Sequence, residues 1–336
     1  MLRFRGVCDC SKSFWLTLVS AAILHVTPSS ALASRAPAEV VLPIPDRAAN
    51  VRYSTAKVLR LAANKDTKKS SDENEVETED IFGFMSGSDL PEKGNKEGEL
   101  EFVGARGKKD GSYTALTKEL ALKYMALPDT LFAVSGAMAY HSISGVTGLE
   151  DRDTVSPQSL GFEVKHRLLD RTKVPFGLAI SARPSWARID EVSGEPVSQF
   201  GTGFKLIADK ELVKDRLFGA VNLLYDFAGF RVLDTGEWER ESSIGIAAAA
   251  SWQFRPRFFV GAEARYFRAY EGLGLNRFSG QAVFLGPTAF AKLSKFCFIA
   301  AAWNIQAWGR EHGGAGSFDL ANFERHQFTL KLGFEM

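Results

Sequence analysis

From about residue 98 to the end of the chain, apolar and polar residues alternate with a period of two. That period is the mark of strands with one apolar face. In QFTLKLGFE (327–335), Phe328, Leu330, Leu332 and Phe334 share one face, and Gln327, Thr329, Lys331 and Gly333 share the other. Residues 176–186 set Phe176, Leu178, Ile180, Ala182 and Trp186 against Gly177, Ala179, Ser181, Arg183 and Ser185. Ile244, Ile246, Ala248, Ala250, Trp252 and Phe254 likewise oppose Gly245, Ala247, Ala249, Ser251 and Gln253. Leu160, Phe162, Val164 and Leu168 oppose Gly161, Glu163, Lys165 and Arg167, with His166 interrupting the apolar face. The alternation predicts twelve strands, at about 98–106, 113–126, 130–143, 158–168, 174–190, 196–209, 216–232, 237–254, 258–271, 281–293, 296–308 and 322–335. Most exceed the roughly five or six residues of a globular strand. They meet the roughly 9–11 needed to cross a bilayer at a tilt.

Alternation fits a soluble barrel with an apolar core and a membrane barrel with an apolar outside equally well. The connections separate the two. Short turns follow every second strand: Pro128-Asp129, 170–173, 210–215, Arg255-Pro256-Arg257 and Ser294-Lys295. Longer polar loops at 144–157, 272–280 and 309–321 lie between the others. Short turns on one side and long loops on the other are the plan of an outer-membrane barrel, with the turns periplasmic. Aromatics open the strand after each short turn: Phe132, Phe176, Phe218, Phe258 and Phe296, with Phe259 and Phe298 beside the last two. They are the expected periplasmic girdle. Trp186, Phe230, Trp238, Tyr270 and Trp308 are the expected upper belt. The fold class read from the pattern is all-β, a transmembrane antiparallel barrel of about twelve strands in an up-and-down meander.

The N-terminus changes the picture of where the chain goes. Arg3, Arg5 and Lys12 precede an apolar stretch, FWLTLVSAAILHV (14–26), and Ala31-Leu32-Ala33 supplies a small-x-small site. This order reads as a secretory signal peptide over 1–33. Residues 34–97 read as a disordered linker, because 65–80 (KDTKKSSDENEVETED) carry no aromatic and little apolar surface. The barrel domain is then 98–336. Cys8 and Cys10 leave with the signal, so Cys297 remains without an intrachain partner.

Composition adds less. The chain has 336 residues, with 26 Phe and 30 Gly. Lys plus Arg is 41 against 40 for Asp plus Glu, a balance that excludes a nucleic-acid binder by charge. No run of 18 apolar residues exists, which excludes a helical span and leaves strands untouched.

The segments LLDRTKVPFGL (168–178), RIDEVSGEPV (188–197), DTGEWERES (234–242), YEGLGLNRFSG (270–280), NFERHQ (322–327) and IFGFMSGSD (81–89) resemble a family of uncharacterised outer-membrane proteins of Gram-negative bacteria. The resemblance covers about 81–336. It implies a twelve-strand-like barrel in the outer membrane and carries over no catalytic residue. FTLKLGF (328–334) also resembles the C-terminal targeting strand of such barrels, although Glu335 and Met336 follow the terminal aromatic. It implies recognition by the barrel-assembly machinery.

On the non-lipid faces, candidate lumen residues are Glu119, Lys123, Glu163, Lys165, Arg167, Arg183, Lys205, Asp226, Glu263, Arg265, Arg325 and Lys331. Charges of both signs persist in such a place only if paired or wet. They are therefore either a salt-bridge network filling the barrel or a polar conduit. Acidic loop residues such as Asp151, Asp153, Glu239 and Glu241 read as a solvated rim. The four His outside the signal (His141, His166, His312, His326) lack H-E-x-x-H spacing, and a single Cys makes no multi-Cys metal site. No metal, cofactor or catalytic group is expected. The expected partners are outer-membrane lipid and an unidentified small solute. The expected function is a small-solute channel or binding barrel. The alternatives are a structural or interaction protein of the envelope and, more remotely, a Ser/His hydrolase.

Overall fold

The computed structural model describes residues 76–336. The expected signal peptide and residues 34–75 of the expected linker lie outside the described residues. The strands are β1 (Lys96–Arg106), β2 (Ser112–Leu127), β3 (Thr130–Ser144), β4 (Arg152–Leu169), β5 (Gly177–Ile189), β6 (Pro196–Val213), β7 (Leu217–Val232), β8 (Trp238–Arg255), β9 (Phe258–Glu271), β10 (Arg277–Lys292), β11 (Cys297–Glu311) and β12 (His326–Glu335). Each pairs antiparallel with its neighbour in sequence, and β1 pairs with β12, so the sheet closes into a twelve-strand barrel. The seam is regular from Glu97 opposite Glu335 to Arg106 opposite His326.

Short turns gather at the end where β1 begins and β12 ends. Asp129, Asp215 and Arg257 take left-handed backbone there and close three of them. The loops expected at 144–157, 272–280 and 309–321 are observed as 145–151, 272–276 and 312–325. β4 starts six residues early because Pro157, which has no N–H to give a ladder, sits where the register against β3 shifts.

Outside the barrel, apolar side chains face away from the wall. Leu160, Ile180, Trp186, Phe200, Ile246 and Trp303 are all exposed. In a membrane barrel that band meets lipid, so exposure in water is the wrong measure of its environment. The inward rows hold Lys123, Lys165, Asp209, Glu263, Asn304 and Thr329, all polar and buried except Lys123, which is half-buried. The apolar face is thus the outer one.

The lumen is not empty. The last part of the expected linker corrects the reading of 34–97 as disordered. Residues 76–95 enter at the short-turn end, fold back at a Phe82–Met85 bridge and return to β1. Ile81, Phe82 and Met85 are buried against inward residues of β7, β8 and β9: Phe218, Ala220, Ala247, Ala249 and Phe259. Phe82 has no exposed surface. Composition misled here because the acidic run stops at Asp80, where Ile81, Phe82, Phe84, Met85 and Leu90 supply the apolar area that docking needs.

Three aromatic assignments are also corrected. Phe218 is 1% exposed and faces inward. Val221 and Leu223 on the same strand face lipid, and strict alternation then turns position 218 to the lumen. Phe230 is buried inside with Val197 and Val232 for the same reason. Phe176 and Phe258 are exposed as girdle residues should be, and Phe132 shares the outward row. Phe296 is exposed in the turn before β11, at the mouth, and not on a strand's lipid face.

Candidate functional site

The inserted segment is held to the wall by polar contacts as well as by its apolar tip. Thr78 ties its two limbs together. Its N–H donates to Asp89 Oδ2 at 2.9 Å and its hydroxyl reaches Asp89 and, at 2.5 Å, Asp209 Oδ2 on β6. Ser88 donates to the other oxygen of Asp209. Arg171, in the turn after β4, donates to Asp89 Oδ2 at 2.7 Å and to the Val76 carbonyl, and lies over the Phe218 ring. Lys165 reaches Glu79 at 3.4 Å and the Asp89 carbonyl at 3.2 Å. Lys331 faces Asp80 at 3.6 Å. Burial pushes the Asp80 carboxyl up to about 6, with Lys123 and Lys331 opposing and Glu99 and Glu79 reinforcing the shift.

Further up, the turn at Gly83 touches the wall. A Cβ there would stand 2.7 Å from Thr288 Cγ2 and 2.8 Å from Ala302 Cβ, and the residue has φ +77°. Only glycine meets both conditions. The Phe84 N–H donates to Glu263 Oε2 at 3.2 Å, and the Arg265 guanidinium lies 3.9 Å over the Phe84 ring.

The candidate lumen residues fall into four groups. Lys123, Lys165, Glu263, Arg265 and Lys331 meet the inserted segment or its immediate neighbours. Lys123 also bonds Glu99 at 2.7 Å and Glu97 at 3.2 Å. Glu119, Glu163, Arg183, Lys205 and Asp226 lie on inward rows away from these contacts. Glu119 pairs with Arg183 across the lumen, and Asp226 accepts from Ser243 at 3.5 Å. Arg167 is at the short-turn end, paired with Asp129 at 2.6 Å. Arg325 is a correction: β12 starts one residue later, and Arg325 sits in the preceding loop, 3.8 Å over Phe318 and donating to the Gln306 carbonyl at 2.6 Å. Of residues 322–325 only Arg325 bonds on through its backbone to the backbone of Gly107 and Gln306, while the Asn322 N–H turns back to Asp319 Oδ1, so the ladder ends there.

Sequence reasoning missed Arg171, Asp209, Glu97 and Glu99, together with the inserted residues that bind them. Glu97 and Glu99 alternate with Gly98 and Leu100, the same signal that found Lys123. Asp209 and Arg171 carried no signal, since one lies at a predicted strand end and the other in a turn.

The opposite end is narrowed by two loops. Gln306 exchanges amide bonds with the backbone of the fully buried Asp319, at 2.7 and 3.0 Å. Lys108 pairs with Glu324 at 3.0 Å. His141 Nε2 meets the Glu191 carbonyl at 2.9 Å, and the Tyr113 hydroxyl donates to Val192 O at 3.0 Å. His166 Nδ1 meets the Thr130 hydroxyl at 2.9 Å, and His326 packs beside Trp303.

A family model matches residues 74–336, the inserted segment and the whole barrel together. The chain belongs to the Family of unknown function (DUF6662). A comparison with curated proteins returns no match. Among solved structures, this DUF6662 chain is similar to an outer-membrane channel from Pseudomonas putida F1, at 13% identity and a TM-score of 0.54, over 78% of this chain and 100% of that one. It is also similar to the beta domain of the Bordetella autotransporter BrkA, at 11% identity and a TM-score of 0.47, over 73% of this chain and 100% of that one. The first likeness places the DUF6662 fold among outer-membrane barrels. The sequence resemblance to an uncharacterised outer-membrane family is thereby borne out.

Proposed function

We propose that the protein is an outer-membrane channel for small polar solutes, occupied by its own segment 76–95 in the state described above. The observation that carries the reading is the composition of the inner wall. Away from the inserted segment the wall keeps Glu119, Arg183, Glu163, Lys205 and Asp226, and Asp226 is exposed to the lumen. A barrel needing only to be filled gains more from apolar packing, since charges in a dry interior cost more than their pairing returns. A wet, balanced wall suits passage. The inserted segment runs covalently into the wall at β1, and its polar latch can exchange protein partners for water.

In this reading the signal peptide delivers the chain across the inner membrane, and the C-terminal strand is recognised by the barrel-assembly machinery. The apolar band then meets outer-membrane lipid. The filled lumen favours a second reading, a structural barrel of the envelope.

Planar-bilayer recording separates the two. Purified, refolded protein is compared with a variant lacking residues 76–90. Discrete, ion-permeable steps that are frequent in the deletion variant and rare in the full chain are expected. A folded deletion variant that never conducts would leave the structural reading standing and remove the channel.

A further inference from the structure

At the short-turn end a cavity of about 1460 Å³ opens below the inserted segment. Its two sides differ. On one side four inward phenylalanines from β7, β9, β10 and β11 form a continuous arc. Phe218 and Phe259 have ring centroids 6.0 Å apart, Phe259 and Phe290 5.8 Å, and Phe290 and Phe298 5.5 Å in a stacked pair. Phe218 and Phe259 are covered by the inserted segment, while Phe290 and Phe298 are half-buried at the cavity. Along the same arc of the barrel, the β6–β7 and β8–β9 turns bring Lys214, Arg216, Arg255 and Arg257 to the cavity rim. All four are exposed, and among the described residues none has a side-chain hydrogen bond or ion pair. Glu77, Glu211, Asp215 and Glu335 line this side as well, against Lys214, Arg216, Arg255, Arg257, Lys292 and Lys295, which leaves the cations in excess. The other side is acidic, with Glu79, Asp80, Asp89 and Glu97, and those carboxylates already face Lys123, Lys165, Arg171 and Lys331.

We infer that this mouth is a binding site for small amphipathic anions, carboxylates with an aromatic or compact apolar body. The ring faces of Phe290 and Phe298 would take the apolar body, because flat hydrocarbon displaces water from them at little cost in order. The arginines of the rim would take the carboxylate, whose planar pair of oxygens matches a guanidinium fork. The cations of the opposite wall are already paired with its carboxylates, so that wall offers the head group no free partner and the carboxylate is directed to the turns. Dispersed rim charge alone would hold any anion, and the arc alone any apolar molecule. Their placement on one side of one cavity selects ligands that have both. Binding here is independent of whether the barrel conducts.

The test uses the full refolded chain in nanodiscs of zwitterionic lipid. Binding of 2-naphthoate is measured by equilibrium dialysis against protein-free nanodiscs, with the uncharged 2-naphthalenemethanol as its isostere. Saturable binding of the carboxylate is expected, about tenfold or more tighter than the alcohol. Arg216→Gln/Arg255→Gln/Arg257→Gln changes only exposed side chains in or beside two short turns, so the barrel folds, and it should lose at least that factor. Phe290→Ala should weaken both probes together. Equal protein-dependent binding of carboxylate and alcohol, or an unchanged affinity in the triple Gln variant, would overturn the site. No conductance is read, so failure here and failure of the channel reading are distinct results.

Discussion

Gly83 is the residue on which docking of the inserted segment turns. A β-branched side chain there is strained at φ +77° and collides with Thr288 and Ala302 at once. Gly83→Val should therefore weaken docking by about 1–3 kcal/mol while leaving the wall untouched. Hydrogen exchange at the Phe82 and Met85 amides would report it, with protection falling there and holding in β7 and β8. Asp80 adds a pH dependence. Its carboxyl is pushed from its ordinary value of 3.8 up to about 6 in the docked state. Docking then binds a proton, so its contribution is complete below the ordinary value and lost as pH rises through about 6. Protection of the segment, corrected for intrinsic exchange, should drop across that window in the native chain. Asp80→Asn should flatten the drop, and an unchanged slope would assign it to another group. Neither residue announced itself in the sequence. Gly83 sits in the short apolar IFGFM stretch with nothing local to show that it needs a positive φ, and Asp80 closes an acidic run whose composition reads as solvated. What fixes both is the wall they meet: Thr288 and Ala302 for Gly83, and Glu99, Lys123 and Lys331 for Asp80.

At the scale of the strand, alternation is enough to locate nearly everything. β9 spans the residues expected of it, and β3 and β7 differ by one residue at one end. The physical reason is that a one-residue slip would turn every lipid-facing side chain inward, so register and pattern cannot part. The misplaced aromatics, Phe218 and Phe230, are those assigned by height along the strand without regard to parity. The faces can be tested directly on β8. Ile246 is 47% exposed on the lipid side, and Ala247 is 2% exposed inside. Ile246→Arg should cost about 2–4 kcal/mol of folding stability in lipid vesicles, because hydrocarbon cannot replace the water a guanidinium loses. Ala247 faces the lumen, which by alternation alone would make Arg cheap there. It is not cheap, because Ala247 packs in the cluster with Ile81, Phe82 and Met85. Ala247→Arg should leave the barrel folded and expel the inserted segment, read as lost exchange protection at Phe82. A larger loss of folding stability for Ala247→Arg than for Ile246→Arg would turn the barrel inside out.

For the whole molecule the decisive asymmetry is between its two ends. One end carries short turns, both ends of the sheet, the entry of the inserted segment and the cavity with its cationic rim. The other carries the loops 145–151, 272–276 and 312–325, the last of them tied to the wall through Gln306–Asp319. An outer-membrane barrel inserts with its short turns inward, since the long polar loops must face the outside and the chain's N-terminal extension must stay on the side from which it arrived. Gly274 and Ala315 belong to the long-loop end, and Arg255 to the short-turn end. With Cys297→Ser as background, single Gly274→Cys and Ala315→Cys variants should react with a membrane-impermeant maleimide on intact cells. Arg255→Cys should react only after the outer membrane is opened. The two ends have different chemistry, so the orientation also decides which compartment supplies the ligand of the short-turn mouth. Labelling in the expected pattern makes that ligand periplasmic. The reverse pattern would put the cationic mouth at the cell surface and the long 312–325 loop in the periplasm, a topology that the tight turns at 128–129, 214–216 and 256–257 on the opposite end argue against.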